Sequence, residues 1–145
     1  MSKRFVDTDI WDKEWFMNLS EREKLGWFYL LDVCDGAGVW APNFTLAETI
    51  IGKKVNWSKL MQDSHGNIEI LENGKYFIPD FCEFQCVKLS AKSPPHRAYI
   101  MLLEKHGLLD RVVGPYRDWY EKRWEEYRAE EEQKLLSLAF KRSHR

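Results

Sequence analysis

The chain has 145 residues, a net charge of −1, 44% hydrophobic residues and 14% aromatic residues. That is the size of one ordinary domain with enough apolar material for a core, and it is too close to neutral for generic charge-driven binding to polyanions. Three widely placed cysteines, no signal peptide and no long apolar run lead to the expectation of a reduced, soluble, cytoplasmic protein without a membrane span. Charge is uneven along the chain. Residues 1–40 carry five basic and eight acidic groups, residues 41–110 eight of each, and residues 111–145 nine basic and seven acidic.

Residues 1–8 are a polar start. From Asp9 to about Met17, Ile10, Trp11, Trp15 and Phe16 predict a first short helix. Ser20-Glu21-Arg22-Glu23 has the capping-box spacing, a hydroxyl at the N-cap and a carboxylate three residues on, so a longer helix opens there and runs to about Cys34. Leu25, Trp27, Phe28, Tyr29, Leu30, Leu31, Val33 and Cys34 leave it little polar face, which predicts a central helix buried on most sides. Asp35-Gly36-Ala37-Gly38 reads as a turn. Val39-Trp40-Ala41 reads as a short strand stopped by Pro42.

The organising stretch is Thr45 to Pro79. Thr45-Leu46-Ala47-Glu48 repeats the capping-box spacing, and Gly52 stands where a helix stops in a left-handed residue. Leu46, Ile50 and Ile51 are expected to face the core. Asn56 can cap a second helix, with Val55 and Leu60 as its hydrophobic staple and its end near His65-Gly66. Asn73-Gly74 lies between Ile68–Leu71 and Lys75–Ile78, two apolar runs, and predicts a hairpin. A two-residue turn there pairs Glu72 with Lys75 and Ile70 with Phe77. Helix, turn, helix and hairpin, with the Val39–Ala41 strand joining the sheet, is the order of a winged helix-turn-helix.

Beyond the hairpin, Phe81 to Val87 has mixed periodicity and is read as a bend or a short extension of the sheet. Leu89 to Pro95 is a basic Ser/Pro-rich loop. Ser93-Pro94 opens another helix, with Pro at its first position, a buried stripe of Tyr99, Leu102 and Leu103, and an end at Gly107. Leu108 to Gly114 is a connector, and Pro115 starts a last helix reaching about Phe140. That helix carries Tyr116, Trp119, Tyr120, Trp124 and Tyr127 at three- and four-residue steps, then a charged middle, then Leu135, Leu136, Leu138 and Phe140. Its aromatic stripe is expected to dock on the domain or on a second copy. Its apolar end is expected to need a partner, which predicts a homodimer or a partner protein. The expected architecture is thus mainly α with a small antiparallel sheet: a winged helix-turn-helix over 1–110 and a charged amphipathic helix over 111–145.

The second helix of the helix-turn-helix is the candidate reader. Its staple turns Val55, Leu60 and Met61 inward and sets Ser58, Lys59 and Gln62 outward. Lys can bond guanine and Gln can bond adenine through the major-groove edge. Lys53 and Lys54 in the turn are placed for phosphates, and Asn73 and Lys75 form the wing tip. Lys88, Lys92 and Arg97 make a second acid-free run. The competing reading is solvated lysines on a protein-binding module. Metal binding is not expected: Cys82 and Cys86 have no second tight pair, and His65, His96 and His106 lie elsewhere. The cysteines are read as core residues. Nor is a cofactor or catalysis expected. Ile51-Gly52-Lys53-Lys54 lacks the upstream glycine of a phosphate loop, and no Ser, His and Asp grouping or HExxH stands out.

Several segments carry a family resemblance: Asp7-Thr8-Asp9-Ile10-Trp11-Asp12-Lys13-Glu14-Trp15-Phe16, Leu19-Ser20, Tyr29-Leu30-Leu31, Gly38-Val39-Trp40, Ile78-Pro79-Asp80-Phe81-Cys82-Glu83-Phe84-Gln85 and Ser93-Pro94-Pro95-His96. In order and spacing, over about residues 5 to 109, the chain resembles the N-terminal winged-helix domain of phage replication-initiation proteins, the replisome organisers. The resemblance implies binding of duplex DNA at origin repeats and recruitment of a helicase loader or helicase near the bacterial nucleoid. It implies no catalytic residue. Those proteins often continue into a longer C-terminal region, where this chain has one charged helix. A transcriptional regulator and a non-enzymatic protein-interaction module, gripping its partner by the wing and the last helix, are the alternatives of the same fold.

Overall fold

The computed structural model describes residues 3–86, 93–113 and 117–144, with the backbone alone at 113, 117–121, 123 and 124. It is mainly helical, with a small antiparallel sheet and a long C-terminal helix. The chain forms two compact units, Met1–Val87 and Lys88–Arg145.

The first unit begins with a short 3-10 turn, Thr8–Asp12, and α1, Glu14–Met17, where the sequence predicts one helix. Lys13 interrupts them in an extended conformation, φ −78° and ψ 126°. The long helix α2, Glu21–Val33, starts at Ser20, whose Oγ accepts the Glu23 N–H at 3.4 Å. Only that half of the expected capping box forms. The Glu23 carboxylate turns inward, and its Oε2 is buried without a hydrogen-bond partner among the described residues. Nor is α2 buried on most sides. Glu23, Gly26, Trp27 and Leu30 form one buried stripe, while Leu25 and Val33 are exposed. An i, i+3, i+4, i+7 stripe serves a helix covered along one side.

After α2 come β1, Val39–Trp40, α3, Phe44–Ile51, α4, Trp57–Asp63, and the strands β2, Glu69–Ile70, and β3, Tyr76–Phe77. The sheet order is β1-β3-β2, antiparallel throughout. The start of α3 departs from expectation. Its N-cap is Asn43, whose Oδ1 accepts the Leu46 N–H at 3.1 Å, and Thr45 lies inside the first turn. The cap at Gly52 forms as expected, with φ +84°. Asn56 caps α4, accepting the Lys59 N–H at 3.1 Å, and Val55 and Leu60 are both buried as the staple requires. The helix stops two residues early because His65 and Gly66 are successive left-handed residues, φ +49° and +86°.

The hairpin register differs by one residue from the expected pairing. Glu69 faces Phe77 and Ile70 faces Tyr76. The Leu71 N–H donates to Lys75 O at 2.8 Å and the Gly74 N–H to Leu71 O at 2.9 Å, closing a three-residue loop in place of a two-residue turn. Gly74, at φ +82°, supplies the left-handed residue of the bulge that ends such loops. The slip exposes Ile70, since side chains alternate between faces. Central strand β3 is covered on both faces, and Tyr76 and Phe77 are both buried.

Two aromatic clusters hold the unit together. Trp40 lies 5.1 Å from Trp57, 5.7 Å from Tyr76 and 5.8 Å from Phe44, tying the sheet to the starts of α3 and α4. Trp11, Trp15, Phe16, Trp27 and Phe28 form the second, at ring separations of 5.2 to 6.0 Å. Helix α4 docks on α2 where Gly26 leaves room: a Cβ there would lie 3.0 Å from Val55 Cγ1 and 3.2 Å from Leu60 Cδ2. Residues Phe81–Cys86 form helix α5, not the expected strand or bend.

The N-terminal segment is anything but a free polar start. The Arg4 guanidinium donates to Leu31 O and Cys34 O, each at 2.6 Å, and stacks over Phe81 at 5.0 Å. It thereby satisfies carbonyls that the end of α2 leaves open. Gln85 holds the next residue with two 2.8 Å bonds, accepting from Phe5 N and donating to Phe5 O.

The second unit contains α6, Pro94–Lys105, α7, Leu109–Val113, and α8, Arg117–Ser143. Helix α6 starts with Pro94 at its first position and ends at Gly107, φ +71°, as expected. Its fully buried residues are Ile100 and Leu103, with Tyr99 and Leu102 half-buried. The expected connector holds helix α7.

Candidate nucleic-acid interface

The candidate surface is built on α3, its turn and α4. The Gly52 cap turns the chain, Val55 pins it to the core, and the Asn56 cap restarts the helix. The residues between are therefore displayed: Lys53 and Lys54 are exposed. On α4, Trp57 and Leu60 fill the inward positions and Met61 is half-buried, which leaves Ser58, Lys59 and Gln62 exposed together, as expected. Among the described residues, none of Lys53, Lys54 and Lys59 forms an ion pair. Three uncompensated ammonium groups within seven residues make this stretch locally cationic on a nearly neutral chain.

Two features of this surface were not legible. Trp57 anchors the helix by burying its indole between Trp40 and Phe44, at 5.1 and 5.6 Å. Its spacing to Leu60 was the available signal. On α3 the expected inward residues point out: Ala47 is buried, while Leu46 is 51% and Ile50 63% exposed and Ile51 is half-buried. Helix α3 thus turns its small residue, Ala47, to the core and its larger Leu46 and Ile50 outward.

At the β2–β3 hairpin, Asn73 is exposed and Lys75 half-buried. Asn73 Oδ1 accepts the Lys75 N–H at 3.1 Å, so its oxygen serves the turn and only its amide NH₂ is free to donate outward. Lys88 and Lys92 lie outside the described residues. Arg97 belongs to the second unit, where its guanidinium stacks on Tyr127 at 4.3 Å. One face of that cation is thus occupied by α8, and Tyr127, expected at a partner contact, is half-buried within its own unit. The side chains of Trp119, Tyr120 and Trp124 lie outside the described residues. Leu135 and Leu138 are exposed.

Other chemistry is sparse. Cys34 and Cys82 are buried, and burial pushes both thiols up to about 12. Cys86 is half-buried and is raised for the same reason. No group of three His, Cys, Asp or Glu is placed for a metal among the described residues, and no helix there is long and apolar enough to cross a membrane. A cleft of about 180 Å³ opens beside the N-terminal segment, lined by Phe5, Trp15, Phe28, Phe81 and Phe84, with the 2.8 Å Asp7–Lys13 ion pair among its walls. The Lys13 hydrogen bond, helped by the Asp9 N–H, holds the Asp7 carboxyl below its ordinary value. The cleft is smaller than an ordinary small-molecule site and shares no residue with the lysine surface. No protein-family model matches this chain, and no curated protein or solved structure matches it.

Proposed function

We propose that residues 3–86 form a winged helix-turn-helix that binds duplex DNA, with α4 as the reader and β2–β3 as the wing. The observation that carries the reading is the α4 geometry. Two buried anchors, Trp57 and Leu60, hold the helix so that Ser58, Lys59 and Gln62 stand outward beside the unpaired Lys53 and Lys54. Lys53, Lys54 and Lys59 supply phosphate and guanine contacts, Gln62 an adenine contact, and Lys75 with the Asn73 amide the wing contact. The resemblance to replisome organisers makes origin binding in phage replication, with delivery of a helicase loader, the proposed setting.

Three lysine contacts correspond to a slope of about −2.7 in log affinity against log salt, so binding weakens roughly 40-fold between about 50 and 200 mM salt. Lys54→Glu with Lys59→Glu should abolish the shift of origin-like fragments and leave the circular dichroism spectrum unchanged. Retained binding with the original slope would remove this surface from the account.

One observation favours a second reading. Leu46 and Ile50, one turn apart on α3, are both more than half exposed, which suits a protein contact. On that reading Leu46→Asp with Ile50→Asp eliminates capture of a protein partner while DNA binding is absent throughout.

A further inference from the structure

Every residue in the last three turns of α8, from 132 to 144, is exposed. Leu135 is 67% and Leu138 54% exposed, and Leu136 and Phe140 are no better covered. A solvated helix of this length is marginal in water, and its helicity comes from packing against something. The same turns carry an ordered charge pattern, acidic at Glu130-Glu131-Glu132 and basic at Lys141-Arg142.

We infer that a second copy of this chain covers this face, through antiparallel pairing of residues 130–143 about a two-fold axis between Leu136 and Ser137. Glu131, Leu135, Leu138 and Arg142 fall at i, i+4, i+7 and i+11 and so line one side of the helix. In the antiparallel register that sets Leu135 against Leu138 of the partner, Glu131 lies level with Arg142 of the partner, and the symmetry makes each contact twice. The acidic block of each copy then sits beside the basic block of the other. A parallel, in-register pair does the reverse, placing acid on acid and base on base. Ala139, beside the seam, leaves room for close approach of the partner helix. Within one chain Glu131 is joined to Lys134 at 3.3 Å, and both residues are substantially exposed. Such a pair contributes little and leaves the carboxylate open to a second cation.

The overlap is about 21 Å long, well below the contact length of a standard interface, so the dimer forms in the micromolar range. Sedimentation velocity on the full chain, from about 1 to 500 µM, tests it. The wild type should pass from monomer to dimer over that range. Leu135→Asp with Leu138→Asp, on side chains outside the core, should leave monomer throughout, a loss of about 100-fold or more in affinity. Glu131→Lys with Glu132→Lys should weaken the dimer by about tenfold, and adding Lys141→Glu with Arg142→Glu should restore it to within about threefold of wild type. Monomer at every concentration would overturn the proposal. Failure of the charge swap to restore association would overturn the antiparallel arrangement. Dissociation by Phe140→Asp with no effect of the Leu135 and Leu138 changes would overturn the seam.

Discussion

At the scale of single residues, the most constrained position is Gly38. It sits at φ +84°, and a Cβ there would lie 2.7 Å from Phe81 Cβ and 3.0 Å from Ile78 O. Gly52 has the same φ and open space around it. Gly38→Ala should therefore destabilise the fold by about 3 kcal/mol or more in urea titration, and Gly52→Ala by about 1 kcal/mol, the cost of the left-handed backbone alone. Equal effects would mean that the contact with α5 is looser than described. The cysteines form a second residue-scale case. Raised folded values mean that burial favours the neutral thiol, so the contribution of Cys34 and Cys82 is complete below about pH 9. It is lost as pH rises from there toward about 12. With a thiol reagent near pH 8, Cys86 should react well before Cys34 and Cys82, read by mass spectrometry. The alkaline fall in stability should be shallower in Cys34→Ala with Cys82→Ala.

Among the elements, α4 separates structure from display. Asn56→Ala removes the side-chain N-cap of that helix and should cost about 1 kcal/mol. Leu60→Ala, at a fully buried side chain, should cost about 2–5 kcal/mol. Ser58→Ala and Gln62→Ala, both exposed, should leave the melting temperature unchanged and, on the proposed DNA-binding function, alter only sequence preference. A large stability loss from Gln62→Ala would show that α4 is packed on that side. The hairpin carries a related lesson. Asn73-Gly74 marks its turn correctly, yet the loop has three residues, and the one-residue difference sends Ile70 to the surface.

For the whole molecule, net charge gives little guidance. A chain at −1 presents three unpaired lysines over Lys53–Lys59 and a run of three carboxylates at Glu130–Glu132. Removing residues 131–145 should lower the helical signal in circular dichroism. It should not move the unfolding transition reported by tryptophan fluorescence, because every residue from 132 to 144 is exposed. A shift of that transition would place α8 in the folding unit of the aromatic clusters. The same truncation should give a monomer at all concentrations.

What the amino-acid sequence determined by itself was local. The caps at Ser20, Asn56 and Gly52, the left-handed stop at Gly107, the staple at Val55 and Leu60, the start at Pro94 and the site of the hairpin turn each depend on contacts within a few residues, so their signals survive without the fold. So does the outward side of α4, which follows from its staple. Tertiary structure alone decided that Ala47, and not Leu46 or Ile50, is the buried residue of α3. It made Trp57 an anchor, through rings from Trp40 and Phe44, and it made Phe81–Cys86 a helix, with Phe81 beneath Arg4 and beside Gly38. These outcomes rest on partners distant in sequence, and periodicity carries no record of distance in space.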